Sequence, residues 1–458
     1  MADPRVIIVG AGPAGVRAAE TLLMAGIRPT VIDESTQAGG QIYRRQPSNF
    51  TRGYAAVYGT EAAKARLLHE TFDVLKSRIV YLPETLAWNV FDGALHVLKG
   101  TTASAFPFDA LIIAAGAIDR LMPIAGWTLP GVYSLGAAQI ALKAQACAIG
   151  RSVVFMGTGP LLYLVACQYA KAGANVVAVL DTSAIASQLK AMPKLAARPA
   201  NLIKGLSFLA YLRGQKIAIH RGIVPLAIEG DQDEGVRAVV ARTHDGERLV
   251  VACEAIGIGY HLRPETQLAD LAGCKFRFEP ATRQWLPEVD VDGRTSVHGV
   301  YLAGDGARLL GADGAELAGR LAAHAVLADF GHSVPTAALA RLRRKHARME
   351  RFRLGLAEAF PWPSQTAATL PDETPICRCE AITAAELRRV VREMGAEEIN
   401  RAKAFSRIGM GRCQGRYCGH AAAEVVANVT GLPIEAVGRL RGQAPVKPFP
   451  IAATEQGL

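Results

Sequence analysis

No stretch of this chain approaches the roughly 18–20 uninterrupted apolar residues a helix needs to cross a bilayer; its apolar runs, such as Ala110–Ile118, are strand-sized. A transmembrane segment is therefore not expected. The N-terminus, Met1-Ala2-Asp3-Pro4-Arg5, lacks a basic n-region and a small-residue cleavage site and runs straight into an apolar strand pattern. No secretory signal is read, and the cytoplasm is the expected compartment. Charge of one sign is nowhere concentrated. The net charge of +10, from 51 Lys+Arg against 41 Asp+Glu, is spread along the chain without a basic tract or a nucleic-acid module. Nucleic acid is not an expected partner; a mildly basic surface suits anionic cofactors or an acidic partner protein.

What is present describes a globular protein. Half of the 458 residues are hydrophobic, 20% are charged, and 45 Gly are scattered without a collagen period. At this length two or three packed units are expected.

The sharpest N-terminal signal is the strand Val6-Ile7-Ile8-Val9, then Gly10-Ala11-Gly12-Pro13-Ala14-Gly15, a helical run to Ala25, and a second strand ending in Asp33-Glu34. That is a complete dinucleotide-binding βαβ unit. Gly10 permits the tight turn, Gly12 lets backbone N–H groups approach a pyrophosphate, Gly15 allows close helix–strand packing, and Asp33 can accept from ribose hydroxyls. The pair Gly39-Gly40 follows, continuing into Gln41-Ile42-Tyr43-Arg44. Far downstream, Gly299-Val300-Tyr301-Leu302-Ala303-Gly304-Asp305-Gly306 reads as a strand ending in an acid before another helix.

These segments, with Ala110-Leu111-Ile112-Ile113-Ala114-Ala115-Gly116 between them, resemble two-dinucleotide-domain flavoproteins of the thioredoxin-reductase and glutathione-reductase kind. The resemblance implies an α/β fold and FAD held by Gly10, Gly12, Pro13, Ala14, Gly15, Asp33, Glu34, Gly40, Gln41, Arg44, Ala115, Gly116, Gly304 and Asp305. Domain limits follow: an FAD-binding domain from 1–120 and 260–360, and a second nucleotide-binding domain from 121–259.

The second domain carries its own βαβ pattern, with Gly157-Thr158-Gly159-Pro160-Leu161-Leu162 and a terminal Asp181. Its third glycine has become Leu162, which should displace the helix or fill the pyrophosphate approach, so ordinary NAD(P)H turnover is not expected. Gly157, Gly159 and Asp181 leave two alternatives, a site for a second adenine nucleotide (ATP, ADP or NAD) or a vestigial structural domain. No CxxC lies beside the expected flavin or in this second domain, so a disulfide-reducing pair is missing. Histidines such as His69, His220, His261, His298 and His324 stand alone, and none is assigned a catalytic role.

A basic helix over about 336–360 gives way to Pro361, Pro363, Pro371 and Pro375, and 361–375 reads as a linker. Beyond it, over 376–445, lies the cysteine cluster: Cys377-Arg378-Cys379-Glu380, then Cys413-Gln414-Gly415-Arg416-Tyr417-Cys418. Cys147, Cys167, Cys253 and Cys274 stand apart and are expected as buried small hydrophobes. Two close pairs can converge on one metal centre. The one-residue spacing suits bridged irons better than a zinc knuckle, although spacing alone leaves zinc open. Arg407 to Gly415 and the Cys-Arg-Cys-Glu sequence resemble the [2Fe-2S] domain of the bacterioferritin-associated-ferredoxin type, which implies a cluster on Cys377, Cys379, Cys413 and Cys418 in a small α-rich module.

Taken together, the motifs resemble the α subunit of multi-subunit FAD-dependent amine dehydrogenases: opine oxidases, D-hydroxyproline dehydrogenase, archaeal-type L-proline dehydrogenase and the hydrogen cyanide synthase B subunit. The resemblance implies that the amine is oxidised on a β subunit similar to glycine/sarcosine oxidase while this chain carries electrons onward. In some members an FMN lies between subunits, and a small γ subunit is compatible with the pattern. The competing reading is a self-sufficient NAD(P)H-dependent reductase with the cluster as its outlet.

Overall fold

The computed structural model describes residues 4–47, 49 and 52–455. Two five-stranded parallel sheets organise it. The first has the order Val300–Leu302, Ala110–Ile113, Val6–Val9, Thr30–Ile32, Val80–Leu82. The second has the order Ala218–Arg221, Asn175–Asp181, Ser152–Thr158, Ala255–Tyr260, Val132–Ser134. Central strands read as continuous apolar runs because both faces are covered: Val6–Val9 and Ala110–Ile113 are buried at every position. The Pro13–Met24 helix packs between the first sheet and the long Gly311–Asp329 helix. Gly319 makes that crossing possible, since a Cβ there would lie 2.0 Å from the Ala14 carbonyl oxygen.

The two units are joined by a crossing ribbon, Ala117–Asp119 paired antiparallel with Leu262–Pro264. The basic helix seen in the sequence runs from Thr336 to Ala359. Segment 361–375, expected as a linker, is instead packed. Trp362, Ala367, Leu370 and Thr374 are buried, and Ser364–Ala368 is a short helix. Prolines restrict the backbone there, but the apolar side chains between them decide its fate.

The tail module comprises a small Pro375–Cys377/Ile382–Thr383 ladder and the helices Ala384–Met394, Ile399–Ser406 and Gly419–Thr430 around their own core. A capping box between Thr383 and Glu386 starts the first helix, and Gly395 in the left-handed region ends it. After the module the chain returns to the first unit. Val446 N–H bonds the Trp88 carbonyl at 3.1 Å, the Phe449 ring meets that of Trp88 at a tilt of 54°, and Thr454–Glu455 pairs with Thr102 and Ala103 at the edge of the Thr85–Pro107 meander. Among the described residues no helix is long and apolar enough to cross a membrane.

Candidate cofactor sites

At the first glycine turn the backbone leaves no room for side chains. Gly10 has φ +102°, and a Cβ there would lie 2.4 Å from the Ala114 carbonyl oxygen; one on Gly15 would lie 1.8 Å from the Gly10 carbonyl oxygen. Gly12 is the N-cap, Pro13 opens the helix, and no side chain caps the first turn. Its amides therefore stay available, with the positive end of the helix behind them. Gly40, at φ +62°, packs against one side of this turn, its Cβ position 3.0 Å from Gly12 Cα. Gln41 and Arg44 brace that loop by a 2.8 Å hydrogen bond from the guanidinium, and Tyr58 donates to the Arg44 carbonyl.

The acids around the turn keep capacity for a ligand. Asp33 accepts from the backbone N–H of Ala11 (2.5 Å) and of Ser35 (2.7 Å) and remains partly exposed, while burial raises its pKa. Glu34 is exposed and pairs with Lys447 of the returning tail. One oxygen of Asp305 accepts from the N–H groups of Leu310 and Gly311 at 2.8 and 2.9 Å; burial nonetheless pushes its pKa up to about 6. Its second oxygen has no hydrogen bond among the described residues. Gly304 closes on Ala14, with a Cβ position 2.8 Å from the Ala14 Cβ, and Gly306 lies against the N–H groups of Ala115 and Gly116. Of the residues expected to hold FAD, Gly12 meets Gly40, Ala14 meets Gly304, and Ala115 and Gly116 meet Gly306, which sets helix-start amides near one end of this cradle and the carboxylate of Asp305 near the other. They fit a pyrophosphate and a polyol chain.

The second turn repeats the geometry and closes it. Gly157 is again irreplaceable, with a Cβ position 1.7 Å from the Gly259 carbonyl oxygen. Gly159, the position a pyrophosphate would approach, faces the His261 ring instead, with Nδ1 3.1 Å from its Cβ position. That ring is fixed by a 2.6 Å hydrogen bond between Nε2 and the Phe360 carbonyl, and burial pushes its pKa down to about 4, so it is neutral. Leu162 is fully buried in the core between helix and sheet. Asp181, expected as a ribose acceptor, is 0% exposed. Its carboxylate accepts from Thr158 Oγ1 (3.0 Å), Tyr163 OH (2.5 Å), Ser183 N–H (2.8 Å) and Ser183 Oγ (2.8 Å), leaving no surface for a ribose.

The four cluster cysteines come together from three places. Cys377 ends a strand, Cys379 follows in the next turn, Cys413 sits in a loop, and Cys418 caps the Gly419–Thr430 helix. Their thiols meet as two pairs, Cys377 with Cys418 and Cys379 with Cys413. Among the described residues no three His, Cys, Asp or Glu side chains close on a single metal ion. Cys418 and, against the effect of burial, the nearby N–H groups of Gly409, Glu380 and Cys379 draw the Cys377 pKa down to about 6. A set of amide donors turned toward thiolate suits a bridged iron centre. The loop achieves this with left-handed residues at Arg407, Gly409, Gln414 and Gly415, and with Gly411, whose Cβ would lie 2.3 Å from that of Cys379. Leu440 packs over Gly409, Gly415 and Gly419.

Of the arginines near the cluster, Arg412 is exposed, Arg407 pairs with Glu380 at 2.9 Å, and Arg378 lies over Trp127. Arg416 is different. It is buried and reaches Glu265 of the body at 2.6 Å. Arg283–Glu424 and Arg439–Asp270 pair at 2.7 and 2.6 Å, and Trp127 Nε1 donates to the Pro375 carbonyl at 2.7 Å, so the module is docked on the body. Arg263, Glu265 and Gln267 were not singled out from sequence; three polar residues at alternate positions before the buried Leu268 were the available signal. Among the isolated cysteines, Cys167, Cys253 and Cys274 are buried, but Cys147 is exposed, because it follows the helix that ends at Ala144.

Comparison with known proteins places this geometry. Residues 4–328 match the pyridine nucleotide-disulphide oxidoreductase family, and residues 375–428, which include all four cluster cysteines, match the BFD-like [2Fe-2S] binding domain. The opine oxidase A subunit of Rhizobium meliloti is 38% identical, over 98% of this chain and 87% of its own length. The HcnB subunit of hydrogen cyanide synthase from Pseudomonas protegens is 31% identical, over 98% of this chain and 96% of its own. The crystal structure of L-proline dehydrogenase from P. horikoshii superposes with a TM-score of 0.71, covering 99% of this chain and 79% of that one at 20% identity, which shows a shared fold. The chain therefore belongs to the pyridine nucleotide-disulphide oxidoreductase family, as a flavin-dependent oxidoreductase subunit that carries a BFD-like [2Fe-2S] domain and is related along its length to the opine oxidase A subunit and to HcnB.

Proposed function

We propose that this chain is the electron-carrying α subunit of a heteromeric dehydrogenase or oxidase, in which a secondary amine or amino-acid-derived substrate is oxidised on a partner β subunit resembling glycine/sarcosine oxidase. One observation carries the reading: the 263–267 stretch ties the Gly116 end of the FAD cradle to the docked cluster module, while the second nucleotide turn is closed by His261 against Gly159 and by the sealed Asp181. FAD, when bound, supplies two-electron chemistry and the cluster one-electron steps. The chain's own residues hold these groups: the Gly10–Gly15 turn, Asp33, Gly40, Gly116 and Asp305 on one side, and Cys377, Cys379, Cys413 and Cys418 on the other. An FMN at the interface between subunits and a small γ subunit belong to the same reading, as does a cytoplasmic complex. Opines and D-hydroxyproline stand ahead of proline and glycine as substrates.

Support for a partner comes from the relatives, named as subunits, and from the chain's basic balance. The test is co-expression with a β partner of the glycine/sarcosine-oxidase type, expected in a neighbouring reading frame. The isolated chain is expected to be inactive toward all four amines and the complex to show dye-coupled oxidation; full activity of the isolated chain would place the catalytic site here. A Cys413→Ser variant should lose the cluster signal while keeping FAD. Stopped-flow mixing with NADH or NADPH tests the reductase alternative, for which rapid flavin bleaching is required.

A further inference from the structure

The Cys413–Cys418 loop is held by three side chains from one short stretch of the body. Arg263 Nη1 donates to the Arg416 carbonyl at 2.9 Å, and Gln267 Nε2 donates to the Gln414 carbonyl at 2.7 Å. Between them Glu265 takes the Arg416 guanidinium on both oxygens, from Nε at 2.6 Å and Nη2 at 3.2 Å. The remaining arm of Arg416 donates to the carbonyls of Val446 (2.6 Å) and Cys413 (3.3 Å). Glu265 also has its own backbone N–H on the carbonyl of Gly116, at 2.9 Å, and Gly116 lies in the FAD cradle. A single residue thus touches the flavin-binding strand end through its backbone and the cluster loop through its side chain.

The charges here matter as much as the positions. A four-thiolate [2Fe-2S] centre is net anionic and becomes more so on reduction, so fixed charges in a poorly hydrated setting shift its potential. Side chains of Arg416 and Glu265 are only 8% and 12% exposed. Arg263 adds a second guanidinium, leaving one net positive charge in the trio. We infer that Glu265, with Arg416 and Arg263, is the positioning element that registers the cluster loop against the FAD cradle and sets the reduction potential of the cluster. The inference rests on the electron-carrying reading above and deepens it, by naming residues that adjust the driving force between the two cofactors.

The trio makes predictions of opposite sign. Glu265→Gln leaves two uncompensated positive charges beside the cluster and should raise its midpoint potential; Arg263→Gln removes one and should lower it. Each shift is expected on the order of tenfold in electron partition, 59 mV for one electron. Glu265→Asp, which keeps the charge, should restore the potential most of the way. The measurement is an EPR-monitored redox titration of the isolated full-length chain loaded with FAD and cluster, which requires no amine and no partner. Shifts of opposite sign at retained flavin and iron content are the expected result. If Glu265→Gln does not retain the cluster, Arg263→Gln decides alone. Unchanged potentials, shifts of the same sign, or loss of the cluster from both variants would overturn the inference, since a merely structural brace predicts no charge-ordered pair of shifts. Inactivity of the complex toward amines would leave this result standing, whereas an unaltered chain with no reducible cluster would overturn both readings.

Discussion

The molecule contains the same βαβ unit twice, and the two copies have opposite fates. Both helix starts lack a side-chain cap; in the first, Asp33 accepts two backbone N–H groups and stays partly exposed, and Gly12 faces only Gly40. In the second, Asp181 accepts four hydrogen bonds and is sealed, Gly159 faces His261, and Leu162 occupies the third glycine position. A glycine turn thus marks a backbone shape. Whether that shape receives a ligand depends on which polar groups the rest of the chain leaves unsatisfied around it.

The largest contrast should come from Gly15. Changing it to Ala puts a methyl 1.8 Å from the Gly10 carbonyl oxygen, so the helix must move away from the strand. A loss of more than about 3 kcal/mol and flavin-free protein are expected, read by denaturation and the flavin spectrum; retention of full flavin content would show that the first turn does not need close packing. Next comes Asp181→Ala, which strands the hydroxyls of Tyr163, Thr158 and Ser183. A cost of about 3 kcal/mol with normal flavin content is expected. Unchanged melting together with lost ADP or NAD affinity would make Asp181 a ligand-facing acid and break the comparison.

Asp305 sharpens the contrast through pH. Its carboxyl titrates at about 6 in the folded chain against an ordinary 3.8, with burial as the cause. A raised folded pKa means that the folded state keeps a proton the unfolded chain has already lost. Stability from this group is therefore full below about pH 4 and falls as pH rises to 6. Flavin-free Asp305→Asn protein should lack that slope, a difference on the order of 2 kcal/mol after allowance for partial exposure; identical pH profiles would remove burial as the cause. The smallest effect is expected from His261→Ala, about 1 kcal/mol of stability and still no flavin bleaching by NADH, because Asp181 remains occupied. Bleaching in this variant would identify the ring as the only barrier.

Much of this arrangement is legible in the sequence, because it depends on local backbone demands. The glycines of both turns, the acids ending their strands and the paired cysteines are each fixed within a few residues of their neighbours. Leu162 already signals that the second turn is altered. What escapes is set by contacts between distant segments. Arg416 and Glu265 are 151 residues apart, and nothing near either one announces the other. His261 reaches Gly159 only because the ribbon returns beside the second sheet. Segment 361–375 misleads for a different reason: its prolines report backbone stiffness, while Trp362 and Leu370 determine burial.

The returning tail has a consequence for biosynthesis. The strand Thr102–Pro107 receives its outer neighbour from Thr454–Glu455, at the far end of the chain. During synthesis that edge emerges hundreds of residues before its cover and stands unpaired in the interval, the situation in which sheet edges recruit wrong partners. The cluster module is therefore stitched in at both ends, and removing only the last dozen residues would leave every cofactor ligand in place while exposing a strand edge on the nascent and the finished protein alike.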